Sequence, residues 1–426
     1  MRLLSLKFLS DHKQYKKGLI INFGESIDEQ EYLKIDMSVL IGRNGSGKTT
    51  VMSLIPSLFF HLERYNGEIK ADIELRYKIK AFKKTHTVTI THDNNLVRVS
   101  VSGVHDNVQL LPKKDAHKDD ISVIDEKQLF VRFDLFKTYL PMKVVTSAFS
   151  MHGEYPSNRN IQFNGKHIIA DQSITKIYGS NHYNLGSITR GILRFLRLFY
   201  SRNKRIRSLL KLFDLRFNDK ILLKDTIKDR DQWQTIDLKW LNENDTNVQM
   251  GEILINDFEF IKEGQILTLS NMSAGEKMLL LRAISILDAV EDQSIVIIEE
   301  PELHLDQVWN RQLTSLFNEF YSDYDIHLLI ATHDYAIINS VHSSNLIFLQ
   351  QGKVKSLDGT YLASYDELFT VLYGTKFRPN RIEEAILKEL KVMQLDELKK
   401  TYNELGNSIY KFLVFQRINE LSDVES

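Results

Sequence analysis

Cysteine is absent from the 426 residues. Its absence excludes a disulfide framework, thiolate catalysis and any Cys-ligated zinc or iron–sulfur centre. Net charge is missing as well: 55 Lys and Arg stand against 56 Asp and Glu, a formal −1. A chain so balanced does not attract nucleic acid or membrane as a whole, although a local patch can. Long hydrophobic runs are also lacking. Stretches such as Ser53 to Leu62 fall far short of the roughly 18 apolar residues of a spanning helix. The opening segment carries Arg2, Lys7 and Asp11 and is too charged for a secretory core. No internal repeat and no low-complexity tract interrupts the chain. The expectation is a globular, cytoplasmic protein without a membrane anchor. What is present fits that expectation: 43% hydrophobic and 10% aromatic residues oppose global disorder. At about 150 residues per domain, the length gives two to three domains or one large domain with inserts.

Patterning points to an α/β chain. Leu3, Leu6 and Phe8, then Leu19, Ile21 and Phe23, follow strand-like alternation. The run Ser38 to Ile41 reads as a buried strand that stops at Gly42. From Lys48 to Leu62 the spacing predicts a helix, with Pro56 expected to bend it. Period-two stretches at Thr85 to Thr91 and Leu96 to Val101 predict antiparallel strands joined at Asp93-Asn94-Asn95. Residues 105–120 are polar and read as an exposed loop. Helical patterns recur at Leu185 to Phe217 and Ser273 to Val290. Apolar runs at Ile295 to Ile298 and His327 to Ala331 read as buried strands, and Asn345 to Leu357 as a hairpin. From Asn380 onward the pattern is helical.

The strongest motif is Gly42-Arg43-Asn44-Gly45-Ser46-Gly47-Lys48-Thr49. It satisfies G-x-x-x-x-G-K-[ST] in full, between a strand and a helix. Glycines let backbone N–H groups close around phosphate oxygens, and the helix N-terminus adds a favourable dipole. Lys48 is expected to reach the β and γ phosphates, Thr49 to place its hydroxyl on Mg²⁺, and Thr50 to follow inside the same turn. Residues 294–306 end an apolar strand on Glu299 and Glu300. The end of a strand in an open parallel sheet is where ligands bind. Glu299 is a candidate Mg²⁺ holder and Glu300 a candidate general base. The same Glu-Glu-Pro-Glu run can equally be a charged helix start. Ser273-Ala274-Gly275-Glu276 opens a helix, either as a capping box or as a phosphate grip. His333 lies just past a buried strand, where a histidine is either structural or catalytic.

Taken in order, these segments resemble an ATP-binding-cassette (ABC) ATPase. Gly42 to Thr49 resembles Walker A, Met272 to Lys277 the signature motif, Ile295 to Glu300 Walker B, Asp306 the D-loop position and His333 the switch histidine. The usual Walker B aspartate is Glu299 here, and the expected Q-loop glutamine has no clear counterpart where the strand Lys143 to Ala148 meets Phe149 and Ser150. Within that superfamily, Glu-Glu-Pro-Glu-Leu-His-Leu and Ser-Ala-Gly-Glu-Lys resemble the RecF, Rad50, SMC and OLD-like branch and the ATPases of anti-phage systems such as Septu and PARIS. The resemblance implies a P-loop mixed sheet with an antiparallel β subdomain, spanning 1–362. It implies a helical second lobe at about 150–290 and a helical tail at 363–426. It also implies ATP and Mg²⁺, with catalysis by Glu300 and His333. Two heads would close face to face, with Ser273 and the Gly275 amide completing the partner's site. A homo-oligomer of such dimers and a separate nuclease effector follow as expected partners, with a RecF-like repair ATPase as the alternative.

Two surfaces invite a partner on sequence grounds. Arg190, Arg194, Arg197, Lys204 and Lys211 follow helical steps that would place them on one face, a stripe suited to a nucleic-acid backbone or to plain solvation. In the tail, Leu395/Leu398, Tyr402/Leu405 and Ile409/Phe412 step by seven, weakened by Gly406. That face suits docking onto the head's own core or onto a partner.

Overall fold

The computed structural model describes residues 1–24, 34–64, 69, 71–94, 96–111, 130–147, 185–225, 230–303, 305–355, 357, 359–363, 367–368, 370, 372, 388–390, 392–406 and 409–425. The chain divides into two compact units, Met1–Leu368 and Phe369–Ser426.

The first unit holds three sheets. A seven-stranded sheet is built from β1 (Arg2–Phe8), β2 (Ile20–Asn22), β4 (Ile73–Ala81), β5 (Lys84–Asp93), β6 (Leu96–Val101), β7 (His105–Leu111) and β8 (Phe130–Arg132), in the order β2-β1-β4-β5-β6-β7-β8. A six-stranded sheet uses β3 (Asp36–Ile41), β9 (Val144–Ser147), β14 (Ile295–Glu299), β15 (His327–Thr332), β16 (Leu346–Gln350) and β17 (Lys353–Lys355), in the order β17-β16-β3-β15-β14-β9. Its pairings are parallel except at the β16–β17 edge hairpin. Helix α1 (Lys48–Arg64) follows β3. Apolar residues occupy most of its circumference, and Val51, Met52, Leu54, Ile55, Leu58, Phe59 and Leu62 join one continuous core with side chains from both sheets. A helix so covered must be buried on nearly all sides, and it runs from Lys48 to Arg64 with Pro56 inside it. Strands β14 and β15 are buried along their whole lengths. This explains why they read as unbroken apolar runs rather than as alternation.

His327 ties the sheets together at the start of β15. Its Nδ1 accepts from the Leu3 amide of β1 at 3.3 Å, and its Nε2 meets Ser38 Oγ of β3 at 3.0 Å. Complete burial pushes its pKa down to about 3, so the ring is neutral.

The loop expected at 105–120 is corrected at 105–111, and residues 112–120 lie outside the described residues. Residues His105–Leu111 form β7, antiparallel to β6, with Val108 and Leu110 buried. The intervening Asp106, Asn107 and Gln109 face outward and make a half-buried strand look like a loop by composition. The expected hairpin at Asp93-Asn-Asn95 is present, with Asp93 opposite Leu96.

After the short helix α2 (Phe133–Phe136), the second lobe begins with α3 (Leu185–Tyr200) and α4 (Lys204–Leu212). It continues with β10 (Arg216–Asp225), β11 (Arg230–Thr235), α5 (Leu238–Met250), β12 (Leu254–Lys262) and β13 (Gln265–Thr268). Its strands form an antiparallel sheet, β11-β10-β12-β13, which the expectation of a helical lobe does not contain. Phe195 of α3 packs against Phe217, Phe258 and Phe260 of that sheet, with ring centroids 5.0, 5.0 and 5.6 Å away.

The basic stripe is also corrected. The helix breaks at Arg202, whose φ is +58°, and α4 restarts on an Asn203 cap that accepts from the Arg205 amide at 2.9 Å. Lys204 and Lys211 therefore sit on a different helix from Arg190, Arg194 and Arg197. Two of the latter are engaged internally. Arg197 makes a two-pronged ion pair with Asp245 at 2.7 and 2.9 Å. Arg194 donates to Ser285 at 3.2 Å and lies 3.4 Å from Asp288. Arg205 pairs with Asp323 at 2.9 Å while covering the Tyr324 ring. Arg194 and Arg197 thus serve the packing of the lobe, while Arg190, Lys204 and Lys211 are exposed.

The first unit closes with α6 (Ala274–Ala289), α7 (Gln307–Tyr321) and α8 (Tyr335–Asn339). In the second unit, α9 (Leu395–Glu404) and α10 (Ile409–Glu425) share a small core of Leu390, Leu398 and Val414. Helix α9 ends at an extended Leu405, so the seven-residue step does not run along one helix. Among the described residues no helix is long and apolar enough to cross a membrane.

Candidate functional site

The site forms at the C-terminal ends of β3, β14 and β15. The chain leaves β3 at Gly42 and turns through Arg43, Asn44 and Gly45, all three exposed, to the buried Ser46. Gly47 has φ +96°, and a Cβ there would strike the Gln14 side chain and the Tyr15 hydroxyl. Gly42 is equally constrained, because a Cβ would meet the Leu349 carbonyl and Ser46. Glycine is needed at both positions for close approach. Tyr15 braces the loop by donating to the Ser46 carbonyl at 3.1 Å and stacking on Phe8. Among the described residues Ser46 Oγ is buried without a hydrogen-bond partner. Such a group suits a ligand that brings an acceptor.

Lys48 is buried in the first turn of α1. Its Nζ donates to the Gly42 carbonyl at 2.8 Å and to His333 Nε2 at 2.9 Å. Burial lowers its pKa to about 8, against the pull of Glu300, Glu299 and Glu302. An ammonium has no acceptor, so Nε2 of His333 must accept and the ring proton resides on Nδ1. Burial and the neighbouring Lys48 hold His333 below the usual histidine range, while Glu300 opposes them. The ring is therefore neutral near pH 7.

Glu299 ends β14 and is buried. Glu300 turns outward, with φ +43° and its Oε1 3.5 Å from His333 Nε2. A left-handed non-glycine residue costs about 1–3 kcal/mol and persists only where its surroundings enforce it. Here its amide donates to the Ala331 carbonyl of β15 at 2.7 Å. Glu302 reaches back to the same strand, accepting from Thr332 Oγ1 at 2.7 Å and the His333 amide at 2.8 Å. Burial raises its pKa despite these bonds. Asp334 caps α8, accepting from the Ala336 amide at 2.7 Å, and also receives Asn310 at 2.8 Å.

Thr49 is half-buried beside Lys48. Thr49 and Glu299 would offer a hydroxyl and a carboxylate, a set of oxygen donors only. That set suits Mg²⁺ held jointly with phosphate oxygens better than a soft metal. Thr50 is tied into the protein, its Oγ1 accepting from Lys13 at 3.2 Å.

The other sequence candidates are helix caps. Ser273 and Glu276 form a complete capping box. Ser273 Oγ accepts from the Glu276 amide at 3.2 Å, and Glu276 Oε2 accepts from the Ser273 amide at 3.2 Å. Burial disfavours charge on Glu276, but Lys262 at 2.8 Å and Ser273 outweigh it and hold the carboxyl below its ordinary range. Ser273 and Ala274 are exposed, while Gly275 is buried in the first turn. Asp306 is an exposed cap of α7, accepting from the Trp309 amide at 3.0 Å. The expected Q-loop position at Phe149 and Ser150 lies outside the described residues.

The structure thus joins Lys48, His333 and Glu300 and adds three groups that sequence reasoning missed: Tyr15, Glu302 and Arg282. Arg282 interrupts the apolar run Met278 to Ile286, and a lone charge in such a run is a visible signal of a buried polar role.

A family profile described as "AAA domain, putative AbiEii toxin, Type IV TA system" matches residues 37–339. No curated protein matches the sequence. Among solved structures, the SMC head domain from Thermotoga maritima aligns over 84% of this chain and all of its own, at 14% identity and a TM-score of 0.40. An SMC head bound to the C-winged helix domain of ScpA aligns over 84% and 98%, at 14% and 0.41. A third, an SMC head with an extended coiled coil bound to the C-terminal domain of ScpA from Pyrococcus furiosus, aligns over 87% and 99%, at 12% and 0.37. The profile match begins on β3 and ends in α8, and so encloses the phosphate loop, the Ser273 helix, both glutamates and His333. The chain belongs to this AAA-domain family and carries its P-loop ATPase fold.

Proposed function

We propose that this protein binds and hydrolyses ATP between two copies of itself, and that the resulting closure gates an assembly with a separate effector. The observation that carries the reading is the convergence of Lys48, His333 and Glu300 at the ends of three adjacent strands.

The phosphates of ATP would lie in the loop Gly42 to Thr49, against backbone amides and the α1 N-terminus. Lys48 would leave His333 for the β and γ oxygens. Thr49 and Glu299 would hold Mg²⁺, whose charge offsets that of the phosphates. Glu300, partly exposed at its carboxylate, would orient a water and accept its proton as the water oxygen bonds to the γ phosphorus and the bridging P–O bond breaks. His333, neutral and protonated at Nδ1, would turn its freed Nε2 toward the same region. Ser273 and the first turn of α6 would meet the partner's triphosphate, and Asp306 would lie near that junction.

The family description names a putative toxin of a type IV toxin–antitoxin system, which by its own terms has a second component. That supports a two-component arrangement, and we propose a defence ATPase whose nuclease effector is a separate chain directed at nucleic acid.

Glu300→Gln should lower ATP turnover at least a hundredfold while ATP remains bound, and Lys48→Ala should lose both. Turnover of Glu300→Gln at the wild-type rate, measured by phosphate release, would remove the role given to Glu300. Co-purification of the protein with the product of its neighbouring gene, with and without ATP, tests the gating.

A further inference from the structure

Arg282 lies in the middle of α6, the helix that Ser273 caps, and it is 2% exposed. A guanidinium removed from water needs acceptors that compensate for its lost hydration. It finds them in the main chain. Its two terminal nitrogens donate to the Glu299 carbonyl at 3.3 Å and the Glu300 carbonyl at 3.4 Å. These carbonyls flank the point where β14 ends and the backbone enters the left-handed conformation of Glu300. The opposite side of the same turn is held by the Glu300 amide on Ala331. The turn is clamped from the β15 strand by one bond and from the Ser273 helix by a two-pronged cation.

We infer that Arg282 is a positioning residue: it fixes the left-handed turn that aims Glu300 and thereby couples hydrolysis to the state of the helix whose tip carries Ser273. The inference rests on the proposed ATPase reading. Its physical content is geometric. A planar guanidinium can reach two successive carbonyls at once, while an ammonium presents a single point of charge. A shift of α6 along its axis moves both donors together and alters the φ that Glu300 can hold. Glu302, three residues after Glu299, adds a negative charge that favours the buried cation and ties the same element to Thr332 and His333. One buried cation thus connects the helix behind Ser273 with both groups that face the γ phosphate.

The test is steady-state ATP hydrolysis of Arg282→Lys, together with nucleotide affinity and circular dichroism. Lysine preserves the charge but not the fork. The expected result is a folded protein with ATP affinity within about threefold of wild type and kcat at least tenfold lower. Arg282→Ala should be slower still, and millimolar guanidinium should restore at least threefold of its rate without changing the wild type. Arg282→Lys turning over at the wild-type rate would overturn the inference. So would a loss of affinity equal to the loss of kcat, which a merely structural residue would give. Should Arg282→Lys fail to fold, absence of guanidinium rescue in Arg282→Ala overturns it instead. A wild type without turnover, or a Lys48→Ala variant that retains it, counts against the ATPase reading itself and is distinguishable from either outcome.

Discussion

Before any nucleotide arrives, the Lys48 ammonium already has two protein acceptors, the Gly42 carbonyl and His333. Its pKa of about 8 means that the nucleotide-free protein begins to lose this charge at mildly alkaline pH. A bound triphosphate restores it, because a neighbouring anion favours the protonated form. The sign follows: below pH 8 the lysine is charged in both states and affinity is level. Above pH 8 binding must take up a proton, and affinity falls by up to about tenfold per pH unit. Calorimetry at pH 9 in two buffers of different ionisation enthalpy should show close to one proton taken up per ATP bound, and at pH 6.5 almost none. Equal proton uptake at both pH values would mean that Lys48 keeps its charge when free. The same scale shows what residues reveal on their own. Lys48, Glu300 and His333 were legible because each stands at a fixed offset in a motif. Arg282 and Glu302 were not. Their roles depend on which strand end lies above α6, and no local spacing encodes that.

Elements were legible in proportion to their burial pattern. The strands β3, β14 and β15 carry short unbroken apolar runs that fit a parallel sheet covered on both faces, and α1 follows directly from the helix period. Strand β7 was hidden because its outward positions are Asp106, Asn107 and Gln109. The break between α3 and α4 was hidden because charges at helical steps continue across Ser201 to Asn203, although the backbone does not. The lobe sheet β10 to β13 was missed for a related reason: Asp219, Lys220, Asp257 and Glu259 interrupt its apolar pattern, and Asp257 and Glu259 are buried with polar partners. Among the elements, β15 offers the clearest test of what joins the sheets. His327 is neutral in the fold and has a lowered pKa, so the unfolded chain binds a proton that the folded chain refuses. Its contribution is fully present above about pH 6.5 and is lost as pH falls toward 3. His327→Gln keeps one donor and one acceptor without a titrating ring. Its melting temperature should fall less than that of the wild type between pH 7 and pH 5, even if it starts lower at pH 7. Parallel losses in thermal melts of the two proteins would show that the acid sensitivity originates elsewhere.

For the whole molecule the question is whether a second copy completes the site, and Ser273 can answer it because its two roles respond oppositely to substitution. As a helix cap, Ser273→Ala loses about 1 kcal/mol of stability, whereas Ser273→Asp keeps an oxygen that can accept from the Glu276 amide. As a phosphate grip, the order reverses. Alanine removes one hydroxyl and leaves the helix N-terminus intact, while aspartate sets a carboxylate against the partner's γ phosphate, and like charges at such range repel. Both variants are best made in the Glu300→Gln background, where ATP should persist and hold heads together, and their mass measured by sedimentation with and without ATP. Head-to-head closure predicts that the aspartate variant stays monomeric with ATP bound. The alanine variant should still dimerise, within about tenfold of the parent affinity, although it melts at a lower temperature than the aspartate variant. A dimer that survives Ser273→Asp unchanged would leave the serine as a cap and nothing more. ATP held by Lys48 within a single chain would then have to account for turnover without a partner.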